Sequence, residues 1–413
     1  MSERVTEHDV LIIGGGMVGA TLACALAKKT ALNIGVVEAK LLPQRDEQGD
    51  LSHSFNPSYD ERSTALSLGS CRFFDAIGVW DALRQHVEYI HQIHVSEQGK
   101  FGVVCLDRKE ERVDYLGAVV ENAWLGVVLG AKMSECSSIT LHTPAQIISL
   151  QQEQSGYRVR IQRGDQALLL RCRLLVVADG ANSTCCKLLG ITQIHKDYEQ
   201  VALVANLSPA NGHQQTAYER FTAKGPMALL PLRENRFALV LTLPADQVDT
   251  YLSMDDQRFM KTIDQAMGGR LGGFIKAGER LSYPLRLIQA REQVLPCCVI
   301  LGNAAHSLHP IAGQGFNLSV RDVAILTEEL VIALAEQCAI NEFSILQRYF
   351  ARREQDQFLT VNFSDKLQKL FAVENTGLGL ARATGLAVFD CWPAGKHLLA
   401  RQAMGLKAGV STL

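Results

Sequence analysis

VLIIGGGMVGATLACALAKKTALNIGVVE, residues 10–38, decides the fold. Val10-Leu11-Ile12-Ile13 is a short run of branched apolar residues, the kind that lies buried on both faces in a parallel sheet. Gly14, Gly16 and Gly19 follow in the spacing G-x-G-x-x-G. Ala20 to Lys29 then reads as a helix with a small, apolar inner face, and Asn33 to Val37 as a second buried strand ending in Glu38. Strand, glycine turn, helix, strand, acid is the order of a dinucleotide-binding unit. Gly14 makes the tight turn, Gly16 lets a pyrophosphate approach the backbone, and Gly19 lets the helix close on the strand. The helix N-terminus then faces phosphate, and Glu38 can hold a ribose hydroxyl. An acid there favours an unphosphorylated ribose, as in FAD or NAD.

The whole chain sets wider bounds. Its 413 residues exceed one ordinary core and imply at least two domains. With 47% hydrophobic and 20% charged residues it has a soluble globular composition, and its net charge of −2 gives no global case for nucleic acid. The 11 cysteines include the vicinal pairs Cys185-Cys186 and Cys297-Cys298 but show neither C-x-x-C nor zinc spacing. Reduced buried thiols of a cytoplasmic protein are expected, and no metal site. Met1 to Asp9 is polar and carries no secretory signal, and no run reaches the ~18 apolar residues that span a bilayer. A soluble protein, or one lying on a membrane surface, is expected.

Farther along, residues 41–61 read as a long polar loop. It leads through Arg62 into a helix expected to start at residues 60–67 and run toward Ile77. Ile93 to Ser96 and Val103 to Leu106 read as strands, and Asn122 to Cys136 as a helix. Tyr157 to Gln162 and Leu168 to Arg173 alternate as a hairpin. Leu174 to Val177 is another buried strand, ending in the polar turn Asp179-Gly180. Ala202 to Leu207, Thr216 to Phe221, Met227 to Pro231 and Arg236 to Thr242 read as an antiparallel sheet inserted into the parallel frame. Val294 to Leu301 returns to that frame. The fold class is therefore α/β, of mixed α+β character. A discontinuous Rossmann-like nucleotide-binding domain (1–90, 130–190 and 291–330) surrounds an antiparallel-sheet substrate domain (91–129 and 191–290). A helical C-terminal region (331–413) follows.

A third motif completes the pattern: Gly302-Asn303-Ala304-Ala305-His306, then Pro310, Gly313, Gly315 and Asn317. With Gly14-x-Gly16-x-x-Gly19 and Asp179-Gly180 it resembles the class A flavoprotein aromatic hydroxylases. His94 to Gly99, Leu308 to Leu318 and Glu219-Arg220-Phe221-Thr222 resemble the members that serve ubiquinone biosynthesis. The resemblance implies FAD bound by Gly14, Gly16, Gly19, Glu38, Arg62, Asp179, Gly180, Gly302, Asn303, Gly313, Gly315 and Asn317. Asn303 stands where most of the family has aspartate, and its carbonyl can still accept from a ribityl hydroxyl. The amides around Gly313 and Gly315 would place positive partial charge near the flavin pyrimidine. Asp179-Gly180 would also serve NAD(P)H, for which the family has no separate domain.

The implied reaction is that of a monooxygenase. NAD(P)H reduces FAD, dioxygen forms a C4a-hydroperoxyflavin, and one oxygen goes to the ring of a polyprenylated phenol such as 2-polyprenyl-6-methoxyphenol. His309, Pro310 and Gly313 are the catalytic candidates at the flavin edge. His306 is read as ordering the loop. Phe221, Met227 and Leu229 are candidates for an apolar substrate pocket, with packing inside the sheet as the competing role. The resemblance also implies work in a multi-enzyme assembly or at the periphery of the inner membrane. The segment 366–413 has six Lys/Arg against two Asp/Glu with Leu367, Leu370, Phe371 and Phe389 between them, and reads either as a docking surface or as a tail packed on its own domain. The alternatives are a sibling hydroxylase acting at another ring position, and a lipid-escort protein with a degraded nucleotide site. The intact glycines and Glu38 oppose the latter.

Overall fold

The computed structural model describes residues 5–42, 62–308, 313–372 and 376–406. Its first sheet runs Cys298–Ile300, Gln166–Val177, Val5–Ile13, Ile34–Val37 and Ile139–His142, all parallel. Val10 and Ile12 enter one core while Leu11 and Ile13 enter another. That two-sided burial is why the strand shows no polar alternation. Helices Met17–Lys29, Asn122–Glu135 and Gln314–Ala335 cover the first face. The core of the second face is shared with Gly156–Arg163, which pairs with Gln166–Val177 in the expected hairpin, and with Gln146–Glu153, a strand the sequence reading did not include.

The second sheet is the inserted one. Its order is His306–Ser307, Leu281–Ala290, Gln193–Pro209, Arg236–Pro244, Gly225–Leu232, Thr216–Thr222, Gln92–Glu97, Val103–Asp107. Neighbours are antiparallel except Thr216–Thr222 beside Gln92–Glu97, which run parallel. Helix Asp256–Met267 buries Phe259, Ile263 and Met267 on one face of this sheet. The other face is turned to the nucleotide-binding part: Leu230 and Ala238 share a core with Leu68, Val119 and Ala65.

Two expectations change. Arg62 does not enter a helix. Ser63–Ser67 is a strand paired with Gly117–Glu121, and the helix is only Leu68–Ala76. Ser67 ends the strand and caps that helix, its hydroxyl accepting from Ser70 N at 3.2 Å. The domain boundary expected at residue 130 falls inside the unbroken helix Asn122–Glu135, whose Leu125 and Leu129 share one core with Leu22 and Leu26 of Met17–Lys29.

Helices Phe343–Ala372, Thr376–Asp390 and Pro393–Ala403 form the C-terminal region. The last two clamp the edge of the second sheet. Arg382 donates twice to Glu97, at 2.7 and 3.2 Å, and Asp390 accepts from Cys105 N at 3.0 Å. Lys396 pairs with Glu110 and Asp390, and Phe389 packs into the core. No helix among the described residues is long and apolar enough to cross a membrane.

At the base of the first sheet the Nε2 atoms of His8 and His142 lie 3.2 Å apart. One ring must donate to the other, so at most one of them can carry protons on both nitrogens. Burial pushes both below the ordinary histidine value of 6.5, and burial, His8 and Arg163 bring His142 down to about 4. The unfolded chain then binds the extra protons, so stability is present above pH 6.5 and is lost as the pH falls toward 4. The melting temperature is expected to drop over that range, and to drop less in His142→Gln. Equal slopes in the two proteins would remove the pair from the acid response.

Candidate functional site

The three glycine motifs meet at the carboxyl ends of three neighbouring strands. Gly14 adopts φ +104° and donates its N–H to Val37 O at 2.8 Å. A Cβ on Gly14 would stand 2.3 Å from the carbonyl oxygen of Ala178, and one on Gly19 only 1.9 Å from that of Gly14. The first turn is thus pressed against Asp179-Gly180 by backbone alone. A Cβ on Gly302 would approach Val18 Cγ2 to 3.0 Å, which seats the third motif on the first. The carboxyl end of a parallel sheet is where ligands bind in such folds.

Two long helices begin there with bare N-termini. Met17–Lys29 starts at Gly16 and Gln314–Ala335 at Gly313; neither has a side-chain cap or an acid in its first turn. Ser67, Ser183 and Asp255 cap other helices, while Asn122–Glu135 and Pro393–Ala403 are also uncapped, so it is the position of these two at the carboxyl ends of the strands that singles them out. Uncapped amide groups are a ready anion site, suited to pyrophosphate at the first helix and to the electron-rich edge of a flavin at the second.

The polar groups around them fit a dinucleotide. Glu38 is half-buried and accepts from Gly15 N at 2.7 Å and Lys40 N at 2.9 Å. Burial raises its carboxyl above the usual range, opposed by those amides. Asp179 Oδ2 accepts from Cys185 N at 3.0 Å, while its Oδ1 is buried without a partner among the described residues. No described atom lies within 4 Å of where a Cβ on Gly180 or Gly315 would project. Asn303 is exposed beside them. Arg62 lies over the ring of Tyr283, its guanidinium carbon 4.5 Å from the centroid. An acceptor orphaned at the site and spaces held open by two glycines are what a bound FAD would satisfy and fill.

Asn317 has a different role from the expected one. Its Oδ1 accepts from Ser67 N and Ser70 Oγ, both at 2.8 Å, and its Nδ2 donates to Ala65 O at 2.7 Å and Gly313 O at 2.8 Å. All its side-chain capacity ties the loop to strand Ser63–Ser67, so it positions Gly313 rather than offering a free group. His306 likewise orders the loop. It bonds Asp322 at 2.6 Å, and Asp322 also accepts from Arg353 at 2.6 Å and Gln357 at 3.0 Å, all buried. Burial alone would raise the Asp322 carboxyl, but Arg353 and His306 outweigh it and hold it at about 2. His309 and Pro310 lie outside the described residues. Gly313 caps the second helix at φ +60°, against Ala65.

The expected pocket residues need correction. Met227 and Leu229 are fully buried against Phe259, Ile263 and Met267 of the covering helix, on the face turned away from the glycine motifs. Strand alternation puts their neighbours on the other face. There a row of paired residues crosses the sheet: Val104, Val95, Glu219, Ala228, Val240, Val204, Leu281. All but Val104 are half-buried. The adjoining rows are more closed, with Ala217 and Ala238 on one side and Phe221, Thr242 and Ala202 on the other, each below 9% exposure. Phe221 is therefore a wall of this trough. Tyr283, which the sequence reading missed, pairs with Ala202 and carries Arg62. The alternation of Leu281, Tyr283 and Leu285 was its signal.

A family profile described as FAD binding domain matches residues 7–359. The ubiquinone hydroxylase UbiL of Rhodospirillum rubrum is 34% identical over 97% of this chain and 90% of its own length. The chain belongs to this family of FAD-dependent ubiquinone-biosynthesis hydroxylases. The 3-demethoxyubiquinol 3-hydroxylase of Escherichia coli is 29% identical over 94% of this chain and 97% of its own. Among solved structures, p-nitrophenol 4-monooxygenase PnpA of Pseudomonas putida shares the fold with a TM-score of 0.77 at 14% identity, over 97% of this chain and 98% of that one. The protein is thus a flavoprotein monooxygenase, and FAD is its cofactor.

Gly315→Leu tests where the flavin lies. Among the described residues no atom lies within 4 Å of a Cβ at this position, so the apoprotein is expected to melt as the wild type does, while FAD affinity falls by at least about tenfold through loss of shape fit. Unchanged flavin content would place the ring elsewhere.

Proposed function

We propose that the protein uses NAD(P)H and dioxygen to hydroxylate the ring of a polyprenylated phenol, 2-polyprenyl-6-methoxyphenol, in ubiquinone biosynthesis. The observation that carries the substrate class is the trough. Six of its seven floor residues are aliphatic, and it is bounded by Tyr283 under Arg62 and by the core shared with Ala65, which Gly313 touches. An isoprenoid chain suits such a floor, with its aromatic head toward the flavin edge.

Bound FAD supplies the redox chemistry, accepting a hydride and activating dioxygen. The chain's own residues do the rest. The bare helix at Gly16 holds pyrophosphate, Glu38 a ribose hydroxyl, and Arg62 and Asp179 the polar edge of the cofactor. The amides of Gly313 and Gly315 balance negative charge on the reduced ring. Sheet and trough keep water from the reacting atoms. Residues 1–90, 122–190 and 291–330, which include the whole of Asn122–Glu135, form the FAD part, residues 91–121 and 191–290 the substrate part, and 331–413 the helical end. Exposed Leu380, Val388, Trp392 and Leu398 on the last helices support contact with a membrane surface or a multi-enzyme assembly.

Aerobic turnover with FAD, NAD(P)H and a short-chain 2-prenyl-6-methoxyphenol under labelled dioxygen is expected to add one labelled oxygen to the phenol, with NMR of the product fixing the ring position. Peroxide release without product would contradict this substrate. Val240→Trp narrows the trough and is expected to raise KM at least about tenfold with little change in stability. Met227→Ala is expected to leave KM alone and cost about 2–5 kcal/mol of stability. The reverse pattern would put the pocket on the helix-covered face.

A further inference from the structure

Three arginines among the described residues are buried: Arg220, Arg321 and Arg353. Arg321 pairs with Asp356 and Arg353 with Asp322. Arg220, only 7% exposed, pairs with no carboxylate among the described residues. It lies on the helix-covered face of the inserted sheet, opposite Met227 of the neighbouring strand. Its Nε donates to Ala266 O at 2.6 Å, near the carboxyl end of helix Asp256–Met267, and its Nη1 donates to Ser96 Oγ at 3.0 Å. The carbonyl end of that helix offsets part of the charge. Nη2 has no hydrogen bond among the described residues. It lies beside exposed Gly268. A Cβ there would stand 3.3 Å from Nη2 and, beyond the glycine's own chain neighbours, within 4 Å of no other described atom. The glycine thus leaves this nitrogen open to the surface.

A second cation is held at the same place. The turn Gly268-Gly269-Arg270 ends the helix, with both glycines in the left-handed region at φ +76° and +69°. Exposed Arg270 turns back to the sheet and donates to His94 Nε2 at 2.6 Å. His94 accepts there, so it is neutral, with its proton on Nδ1. Burial first, and then Arg270, hold it below its ordinary value of 6.5. Burial and then the Arg270 charge likewise lower Arg220, and no acid opposes them. The nearby acids are engaged elsewhere. Asp390 pairs with Lys396 and accepts from Cys105 N, and Glu97 pairs with Arg382. Asp264, one turn before Gly268, pairs with neither guanidinium. Two cations that repel each other, one of them buried, are unfavourable until an anion joins them.

We propose that Arg220 and Arg270 form a binding site for a phosphate group, carried either by a soluble phosphate or by the headgroup of an anionic lipid. Each guanidinium presents N–H groups in a planar fork that matches the oxygens of phosphate, which a halide cannot do. Arg220 supplies the fixed, buried half of the site, and Arg270, steadied by His94, closes over it from the glycine turn. The site lies on the face of the sheet turned away from the glycine motifs, so its ligand is bound apart from the flavin and from the trough. It does not depend on the phenol reading above.

The test uses the FAD-loaded protein, so that the flavin site is already filled. It is titrated calorimetrically with inorganic phosphate against chloride of equal ionic strength. It is also sedimented with vesicles of phosphatidylglycerol in phosphatidylcholine and of phosphatidylcholine alone. The wild type is expected to bind one phosphate per chain, to sediment with the phosphatidylglycerol vesicles only, or to do both. Phosphate binding without vesicle binding assigns the site to a soluble phosphate, and vesicle binding assigns it to a lipid headgroup. Arg270→Gln is expected to weaken that binding at least about tenfold, the loss of a charge-assisted hydrogen bond. Arg220→Lys keeps the charge, loses the fork, and is expected to weaken it too. Both variants keep their FAD. Arg258→Gln removes an exposed charge elsewhere on the same helix and is expected to bind as the wild type does. Exposed Arg270 decides the matter even if Arg220→Lys fails to fold. Binding of neither probe, wild-type binding in Arg270→Gln, or an equal loss in Arg258→Gln would overturn the site.

Discussion

Gly14 stands so close to the Ala178 carbonyl that a single methyl group could not fit between them. Everything at the site depends on that approach. It brings the end of strand Val5–Ile13 against the Asp179-Gly180 turn, and Gly19 and Gly302 close the remaining gaps. The contact itself adds little energy. Its effect is geometric: two uncapped helix N-termini, an orphaned carboxylate oxygen and two spaces left by glycines face one place. A protein that leaves such groups unsatisfied is less stable without its ligand than with it.

The loop of the third motif joins the two halves of the machine. It leaves the parallel sheet at Ile300, turns through Gly302 to Ala304, and lends His306–Ser307 to the edge of the inserted sheet. Behind it, His306, Asp322, Arg353 and Gln357 form a buried network that ties this edge to helices Gln314–Ala335 and Phe343–Ala372. Such networks are costly to break and so favour one arrangement. The described parts of the third motif, Gly302 to Ser307 and Gly313 onward, are therefore held to both sheets.

Much of this was legible in the sequence. A strand, three spaced glycines, a helix, a strand and Glu38 can hardly pack otherwise, and the glycine spacings stated which backbones must touch. The inserted strands were equally plain from their alternation. What alternation could not say was which face meets the cofactor. Met227 and Leu229 look like pocket residues because they are large and apolar, yet those properties equally suit a face sealed by a helix. Glu219 and the small Ala228 belong to the open face, and neither size nor hydropathy announces that. Ser63–Ser67 was missed because it pairs with Gly117–Glu121, far along the chain, and no local pattern carries that information. Asn317 was found for its motif, but its role as a clamp on Gly313 is visible only once Ser67, Ser70 and Ala65 surround it.

The central claim is that the converging glycine motifs form one site for a whole flavin dinucleotide. Calorimetric titration of the apoprotein with FAD, FMN and riboflavin tests it most directly. One FAD per chain is expected, bound at least about 100-fold more tightly than riboflavin, because the bare helix at Gly16, Glu38 and the orphaned Asp179 oxygen act on parts that riboflavin lacks. Riboflavin binding as tightly as FAD, or no FAD binding at all, would contradict the account.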